Sequence, residues 1–353
     1  MKITFIITSL ESGGAERVVS LLANSFIKNY EVSIILLSSG EIFYTLDKNI
    51  SIKNLNLYAP TISIYQKLTN NFNRIKKLKQ AINDENPDII ISFMTQTNIV
   101  SIIASKLLSK KIIISERANY NFLQSKAWKF LRYITYRYAD ALVVQSMYDK
   151  DKYNFCSNVQ VIFNPLKIKN IQSQQREQYI LAVGRIDYQK GFDRLIEAYR
   201  LLDTSWKLLI AGEGIEKDKL QKLVVEYGLR DKVVFIGKQK YIEEYYVKAS
   251  IFALSSRIEG FPNVLVEAMG YGCACVAFDC LTGPSDIIED GKNGFLVPDG
   301  NIEQFSTKIQ ELIDNKKLRE NFSIEAKNIV ERLEVSKITE QWDKLIKEVI
   351  CVE

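Results

Sequence analysis

The sequence predicts two doubly wound α/β domains, and three observations carry the prediction. Its 353 residues exceed what one hydrophobic core commonly holds. Short apolar, β-branched runs alternate with helical patterns, as in parallel sheets covered on both faces. The alternation breaks once, at "LKIKNIQSQQREQ", a polar stretch without an apolar period that follows an Asn-Pro pair. The expected division is a domain over 1–165, a linker over 166–178, a domain over 179–335 and a helix over 336–353.

The first series has strands at Ile3–Thr8, Val32–Leu37, Ile89–Phe93, Ile112–Ser115, Ala141–Val144 and Val159–Phe163. Helices are expected between them at Ala15–Ile27, Leu68–Ile82, Ile99–Leu108 and Lys126–Tyr138. The opening "MKITFIITSL" reads as a buried strand rather than a signal segment: its apolar run is short, and Glu11 and Glu16 follow with no cleavage-site pattern. The second series has strands at Ile180–Val183, Lys207–Ala211, Val233–Ile236, Ile251–Leu254 and Cys275–Phe278. Its helices fall at Phe192–Leu202, Lys217–Tyr227 and Asn263–Gly270, and the C-terminal stretch is helical and charged. Ligands of such sheets bind beyond the carboxyl ends of the strands, so a cleft between the domains is the expected site. No apolar run reaches the length of about 18 residues that a membrane-spanning helix needs.

Composition narrows the chemistry. The sequence contains no histidine, which removes the commonest general base and the commonest metal ligand. Its five cysteines are odd in number, and three lie around one apolar strand, which suits buried, reduced thiols in a cytoplasmic protein. Cys273-x-Cys275 is too tight for a zinc pair. "DKD" at 149–151 matches an Asp-x-Asp metal motif but falls inside a Lys-bearing helical stretch, and is read as a solvated face.

Four stretches fall just after predicted strands. In "TSLESGGAERVV", Gly13 and Gly14 open a helix whose amides attract a phosphate or a sugar oxygen; a plain strand-to-helix connection fits equally. In "VGRIDYQKGFDRL", Arg185 and Lys190 are two cations able to converge on a diphosphate, or ordinary surface cations around a turn. In "EGFPNVLVEAMGYG", Pro262 suits the first turn of a helix, with Glu259 ahead of it and Glu267 about one and a half turns inside. The macrodipole accounts for Glu259; Glu267 needs a partner or water. "DCLTGPSDIIEDGKNGFLV" offers amides to a phosphate or is a connector leading back to an apolar strand.

Together "SGGAERVV", "VGR" with Lys190, "AGEG", "EGFPNVLVEAM" and "TGPSDIIEDGKNGFLVP" resemble the retaining, nucleotide-sugar-dependent glycosyltransferases of family 4, over nearly the whole chain. The "SGGAER" and "TGPSDII" versions are similar to the subgroup that extends bacterial glycans on polyprenyl-diphosphate lipids. The resemblance implies the GT-B architecture: two Rossmann-like domains facing across a cleft, acceptor-binding first and nucleotide-sugar-binding second, with the C-terminal helix packing back on the first. It implies transfer of a hexose or N-acetylhexosamine from a UDP-sugar, with retention. The donor is a substrate; no cofactor, metal or nucleic-acid partner is implied.

Carried over by position, Arg185 and Lys190 hold the donor diphosphate and Glu267 takes the ribose hydroxyls. Glu259 orients the donor sugar, and the backbone of Gly260, Phe261, Pro262 and Asn263 caps phosphate. Gly13 and Gly14 shape the opposite wall, and base contacts come from the loop after Ile236-Gly237. Related enzymes often carry a histidine where this sequence has Arg117. A guanidinium is no base, so Arg117 is expected to bind phosphate or orient a sugar, with Glu116 the alternative sugar contact. In a front-face, retaining substitution the leaving phosphate oxygen takes the acceptor's proton.

Between Ser63 and Arg137 stand 13 Lys/Arg against 4 Asp/Glu. Segments 65–82 and 126–137 mix the cations with Leu, Phe, Trp and Tyr. They suit either a solvated face or attachment to an anionic membrane, on the inner face of the cell membrane, where a lipid-linked saccharide acceptor resides. Two other activities share the architecture: a nucleotide-sugar epimerase, which ordinarily uses carboxylates and histidines that this chain lacks, and a non-catalytic nucleotide-sugar-binding homologue.

Overall fold

The computed structural model describes residues 1–57, 64–171 and 174–351, without the side chains of 64–71. The expected membrane-facing surface of 65–82 therefore lies outside the described side chains up to residue 71. The chain forms two compact units, Met1–Pro165 with Val335–Glu353, and Leu166–Glu334.

The first unit is built on a seven-stranded sheet. Its strands are β1 (Lys2–Ile7), β2 (Glu31–Leu36), β3 (Ser51–Asn54), β4 (Ile89–Phe93), β5 (Lys111–Ser115), β6 (Ala141–Val144) and β7 (Val159–Val161). Their order is β3-β2-β1-β4-β5-β6-β7, every pair parallel, with Phe5 opposite Ile34 on one side and Ile91 on the other. The isoleucine-rich runs that predicted these strands are buried because helices cover both faces. One face packs Ile6, Ile35, Ile90, Ile112 and Leu142 against Leu78, Ile82, Ile99 and Ile102 of two helices. On the other, Phe5 meets Phe26 and Phe93 at 6.4 and 6.3 Å, and Phe93 stacks on Trp342 at 6.1 Å.

Trp342 belongs to the C-terminal helix Val335–Cys351, whose buried stripe of Ile338, Trp342, Leu345, Ile346 and Val349 has the helical spacing. Tyr30 Oη donates to Asp343 at 2.5 Å and fastens the same helix. The helix predicted at the end of the chain therefore completes the core of the first unit.

The second unit carries a six-stranded sheet of β8 (Glu177–Val183), β9 (Lys207–Ala211), β10 (Val233–Gly237), β11 (Ala249–Leu254), β12 (Ala274–Asp279) and β13 (Phe295–Pro298). The order β10-β9-β8-β11-β12-β13, again all parallel, is the doubly wound arrangement, with its reversal between β8 and β11. The stretch read as a linker is counted with this unit: Leu166 is buried and bridges Glu334, and Glu177 already opens β8.

Some elements escape the pattern reading. β3 is a four-residue edge strand, "SIKN", exposed along most of its length and so without alternation. The helix expected from Ile99 begins at Thr95, because Thr97 and Asn98 are polar yet buried. Asp149 is not on a solvated face: it is buried, accepting from Ser146 Oγ at 2.7 Å and the Tyr120 amide at 2.9 Å. Cys273, Cys275 and Cys280 are buried and free, Cys156 is half-buried, and Cys351 is exposed.

Candidate active site

Beyond the carboxyl ends of β8 and β11 two loops meet at the reversal of strand order. After β8 the chain runs through Gly184 and Arg185 into a tight turn, Tyr188–Lys190, then the helix Phe192–Arg200. Asp187 caps the turn by accepting the Lys190 amide at 3.2 Å. Gly191 holds φ +62°, and a Cβ there would lie 2.2 Å from the Ser255 carbonyl oxygen, so only glycine allows this approach. After β11 come Ser255 and Ser256, then Glu259 to Pro262, then the helix Asn263–Gly270.

The Glu259 carboxylate is 4% exposed. Such a charge needs partners, and it has them: Lys190 Nζ lies 2.6 Å from Oε1, and Ser256 Oγ donates to the same oxygen at 2.6 Å. Thr282 Oγ1 donates to the Glu259 carbonyl, fixing the backbone as well. Gly283 (φ +99°) brings this turn onto the helix start: a Cβ there would stand 2.6 Å from Pro262 Cδ. The Thr-Gly-Pro turn expected to offer amides thus also braces Glu259 through a hydroxyl. Ser256 and Thr282 were not singled out in the sequence; the signal present was a polar Ser-Ser pair directly after an apolar strand.

The two cations expected to converge on a diphosphate are each held by a carboxylate. Lys190 is on Glu259; Arg185, two-thirds exposed, places Nε 2.5 Å from Asp187 Oδ2. The helix start also differs in detail. Pro262 precedes the first helical residue rather than occupying the first turn, and the Asn263 amide donates to the Phe261 carbonyl at 2.9 Å. Neither residue therefore presents a free N–H to a phosphate. Glu267 has the partner its setting demands: Tyr246 Oη, from the helix Glu243–Lys248, lies 3.2 Å from Oε2. Tyr246 is itself immobilised by stacking on Tyr271 at 5.8 Å.

The remaining expected residues belong to the first unit. Gly13 precedes the helix Gly14–Phe26, and its carbonyl accepts from the Arg17 amide and from Tyr44 Oη, both at 3.1 Å. Glu16 folds its carboxylate back over Gly13, where an added Cβ would stand 2.1 Å from Oε2. Burial pushes the Glu16 carboxyl up. An acid in the first turn already answers the helix N-terminus, so the wall is not bare.

Glu116 and Arg117 follow β5. Glu116, 3% exposed, accepts from Thr95 Oγ1 at 2.9 Å and from Tyr136 Oη at 2.7 Å. Burial pushes its carboxyl up, against these hydrogen bonds and the charge of Arg132. Arg117 lies beside the stacked Phe93 and Trp342 rings, 5.0 and 5.8 Å from their centroids, and donates from Nη1 to Asn164 at 2.5 Å. Its Nε and Nη2 are buried without a hydrogen-bond partner among the described residues. Burial pulls the guanidinium down to about 9, with Glu116 pulling the other way, and it stays charged at neutral pH. Among the described residues no group of three His, Cys, Asp or Glu side chains is placed to hold a metal ion.

Two doubly wound parallel sheets, the second with an acid–cation pair at its reversal point, are the Rossmann-like domains of the GT-B fold. A crystal structure of Anabaena HepE in complex with UDP shares this fold, with a TM-score of 0.84 at 19% identity, covering 99% of this chain and 100% of that one. The family models for Glycosyltransferase Family 4 and Glycosyl transferases group 1 match residues 12–168 and 164–329. The GalNAc-alpha-(1->4)-GalNAc-alpha-(1->3)-diNAcBac-PP-undecaprenol alpha-1,4-N-acetyl-D-galactosaminyltransferase of Campylobacter jejuni is 34% identical over 99% of both chains. The amylovoran biosynthesis glycosyltransferase AmsD of Erwinia amylovora is 32% identical over 88% of this chain and 90% of its own. The chain belongs to the family 4 glycosyltransferases.

Proposed function

We propose that this glycosyltransferase moves a hexose or N-acetylhexosamine from a UDP-sugar to a polyprenyl-diphosphate-linked saccharide, with retention and without a metal. The observation that carries the reading is the buried Glu259 carboxylate paired with Lys190 at the reversal point of the second sheet. A diphosphate arriving there competes for the Lys190 ammonium and for the exposed Arg185 guanidinium, which neutralise the leaving nucleotide. Glu259, released from Lys190 and still held by Ser256 and Thr282, accepts from the hydroxyls of the donor sugar. Glu267, aligned by Tyr246, accepts from the ribose. The proton of the acceptor hydroxyl passes to the leaving phosphate oxygen, so no histidine is needed.

Lipid-linked acceptors are supported by the undecaprenol-linked saccharide in the name of the Campylobacter relative, and UDP by the UDP in the HepE crystals. No helix among the described residues is long and apolar enough to cross a membrane. Peripheral attachment is assigned to the helix Lys126–Thr135 and its continuation to Tyr138, where Phe130, Tyr133, Ile134 and Tyr138 are exposed beside Lys126, Lys129 and Arg137. Arg132 is not part of that surface: it is buried against Tyr120 and Tyr153. The test is a thermal-shift panel of UDP-, GDP- and ADP-sugars, then turnover of the best donor with a chelator present and with the anomer of the product read by NMR. Stabilisation by GDP- or ADP-sugars alone, an inverted anomer, or loss of turnover with chelator would each remove its part of the reading.

A further inference from the structure

Arg257 lies two residues before Glu259, and Asp193 lies three residues after Lys190. Their side chains join as a fork: Nη1 to Oδ1 at 2.7 Å and Nη2 to Oδ2 at 2.6 Å. Arg257 Nη1 also donates to the Tyr188 carbonyl at 3.0 Å, and the guanidinium lies 4.2 Å from the centre of the Tyr188 ring. The backbone repeats the link, with the Arg257 amide on the Gln189 carbonyl at 2.8 Å. Gln189 Nε2 donates to the Ile258 carbonyl at 2.9 Å, and Ser255 Oγ to the Lys190 carbonyl at 3.0 Å. Residues 188–193 and 255–258 are thereby fastened together on both sides of the Lys190–Glu259 contact.

We propose that Arg257 and Asp193 are a positioning pair that sets the register of the Lys190-bearing turn against the Glu259 loop, so that the Lys190 ammonium meets the donor diphosphate. The proposal rests on the functional reading above. A lysine head is a point charge on a flexible four-carbon stem; its location depends on where the backbone starts the stem. The bonds made by Arg257 grip the carbonyls of Tyr188 and Gln189, immediately before that point. A misplacement of about 1 Å can cost on the order of 100-fold in a reaction. The pair is also more than a solvated surface bridge, since its side chains are 13% and 29% exposed and doubly bonded. Burial works to raise the Asp193 carboxyl, but the hydrogen bonds and charge of Arg257 outweigh it and hold it below the ordinary value. The ion pair therefore persists across the neutral range.

The probe is UDP binding by calorimetry in a double-mutant cycle. Lys190→Ala should weaken UDP binding about 10-fold, the weight of a charge-assisted hydrogen bond. Arg257→Lys keeps the charge but loses the fork, and should weaken UDP binding by about 10-fold in the wild-type background. In the Lys190→Ala background its further effect should fall to about 2-fold or less, because coupled residues are not additive. Asp193→Asn should repeat the pattern, and serves if Arg257→Lys does not fold. Equal losses in both backgrounds, or no loss in either, would overturn the positioning role while leaving the functional reading intact. A wild-type chain that does not bind UDP would overturn both.

Discussion

Lys190 and Glu259, one from the turn after β8 and one from the loop after β11, meet at 2.6 Å across the reversal of the second sheet. The lysine side chain is 17% exposed and the glutamate side chain 5%, so the pair is largely out of water. Removing one member of such a pair strands the other, at a cost of about 3 kcal/mol. Lys190→Ala should therefore lower stability by about that amount and also weaken UDP binding about 10-fold. The double change Lys190→Met with Glu259→Gln should recover most of the stability and none of the transfer. Urea denaturation and turnover on the same samples separate the effects. Recovery of transfer by the double variant would show that neither charge acts on the donor.

Glu267 and Glu259 are expected to fail in different ways. Glu267→Ala should raise the dissociation constant for UDP with little change in the rate at saturating donor. Glu259→Gln should mainly slow transfer. Tyr246→Phe removes one hydrogen bond to Glu267, worth about 1 kcal/mol, and should weaken UDP by about 5-fold without a change in saturated rate. Equal loss of UDP affinity in the Glu259 and Glu267 variants would undo this division.

The strands and the identity of the second loop pair were legible because both rest on local patterns. "YILAVG" and "IFALSS" announce apolar strands that end in small residues, and Glu259 and Lys190 follow them at short range. What pairs with what was not legible, since Lys190–Glu259 and Arg257–Asp193 join residues far apart in sequence whose meeting depends on strand order, and Tyr246–Glu267 joins the helices on either side of β11. The two carboxylates looked like a cap and an isolated charge until β8 and β11 became neighbours. The surroundings of Arg117 were not legible for a different reason. Its neighbours Phe93 and Trp342 come from an earlier strand and the end of the chain, and neither carries a local sign of facing an arginine.

Arg117 tests that point. Its guanidinium bridges Asn164 and the Phe93–Trp342 stack, and an arginine can contribute through packing as well as charge. Arg117→Ala should destabilise the first unit by about 2 kcal/mol, read by urea denaturation with Trp342 among the fluorescence reporters. The substrate contact expected from its position predicts in addition a loss of turnover per folded molecule. Unchanged turnover per folded molecule would confine Arg117 to packing.

Glu116 predicts a pH dependence. Burial raises its carboxyl in the folded state, so the folded chain binds that proton more tightly than the unfolded one. Stability then falls as pH rises from the ordinary carboxyl value, about 4.3, through the raised value, and levels above it. Glu116→Gln keeps an acceptor for Tyr136 and removes the charge. The variant should be more stable than the wild type at pH 7.5 and lose that advantage as the pH falls toward the ordinary carboxyl value. A constant difference across this range would mean that Glu116 is not raised.

The basic, aromatic helix makes the last prediction. Each lysine or arginine near an anionic surface contributes about 1 kcal/mol, so replacing Lys126, Lys129 and Arg137 by Gln should weaken binding to phosphatidylserine-containing vesicles by on the order of 100-fold. Phe130→Asp should weaken it further by removing an exposed ring, 63% accessible in the structure, from the apolar side of the contact. The charge-borne part should also decline with salt, because screening shortens to a few ångströms near 1 M. Flotation with phosphatidylcholine-only vesicles supplies the baseline. Binding that matches this baseline, ignores salt and survives the triple substitution would assign the exposed Phe130, Tyr133 and Ile134 to something other than a membrane.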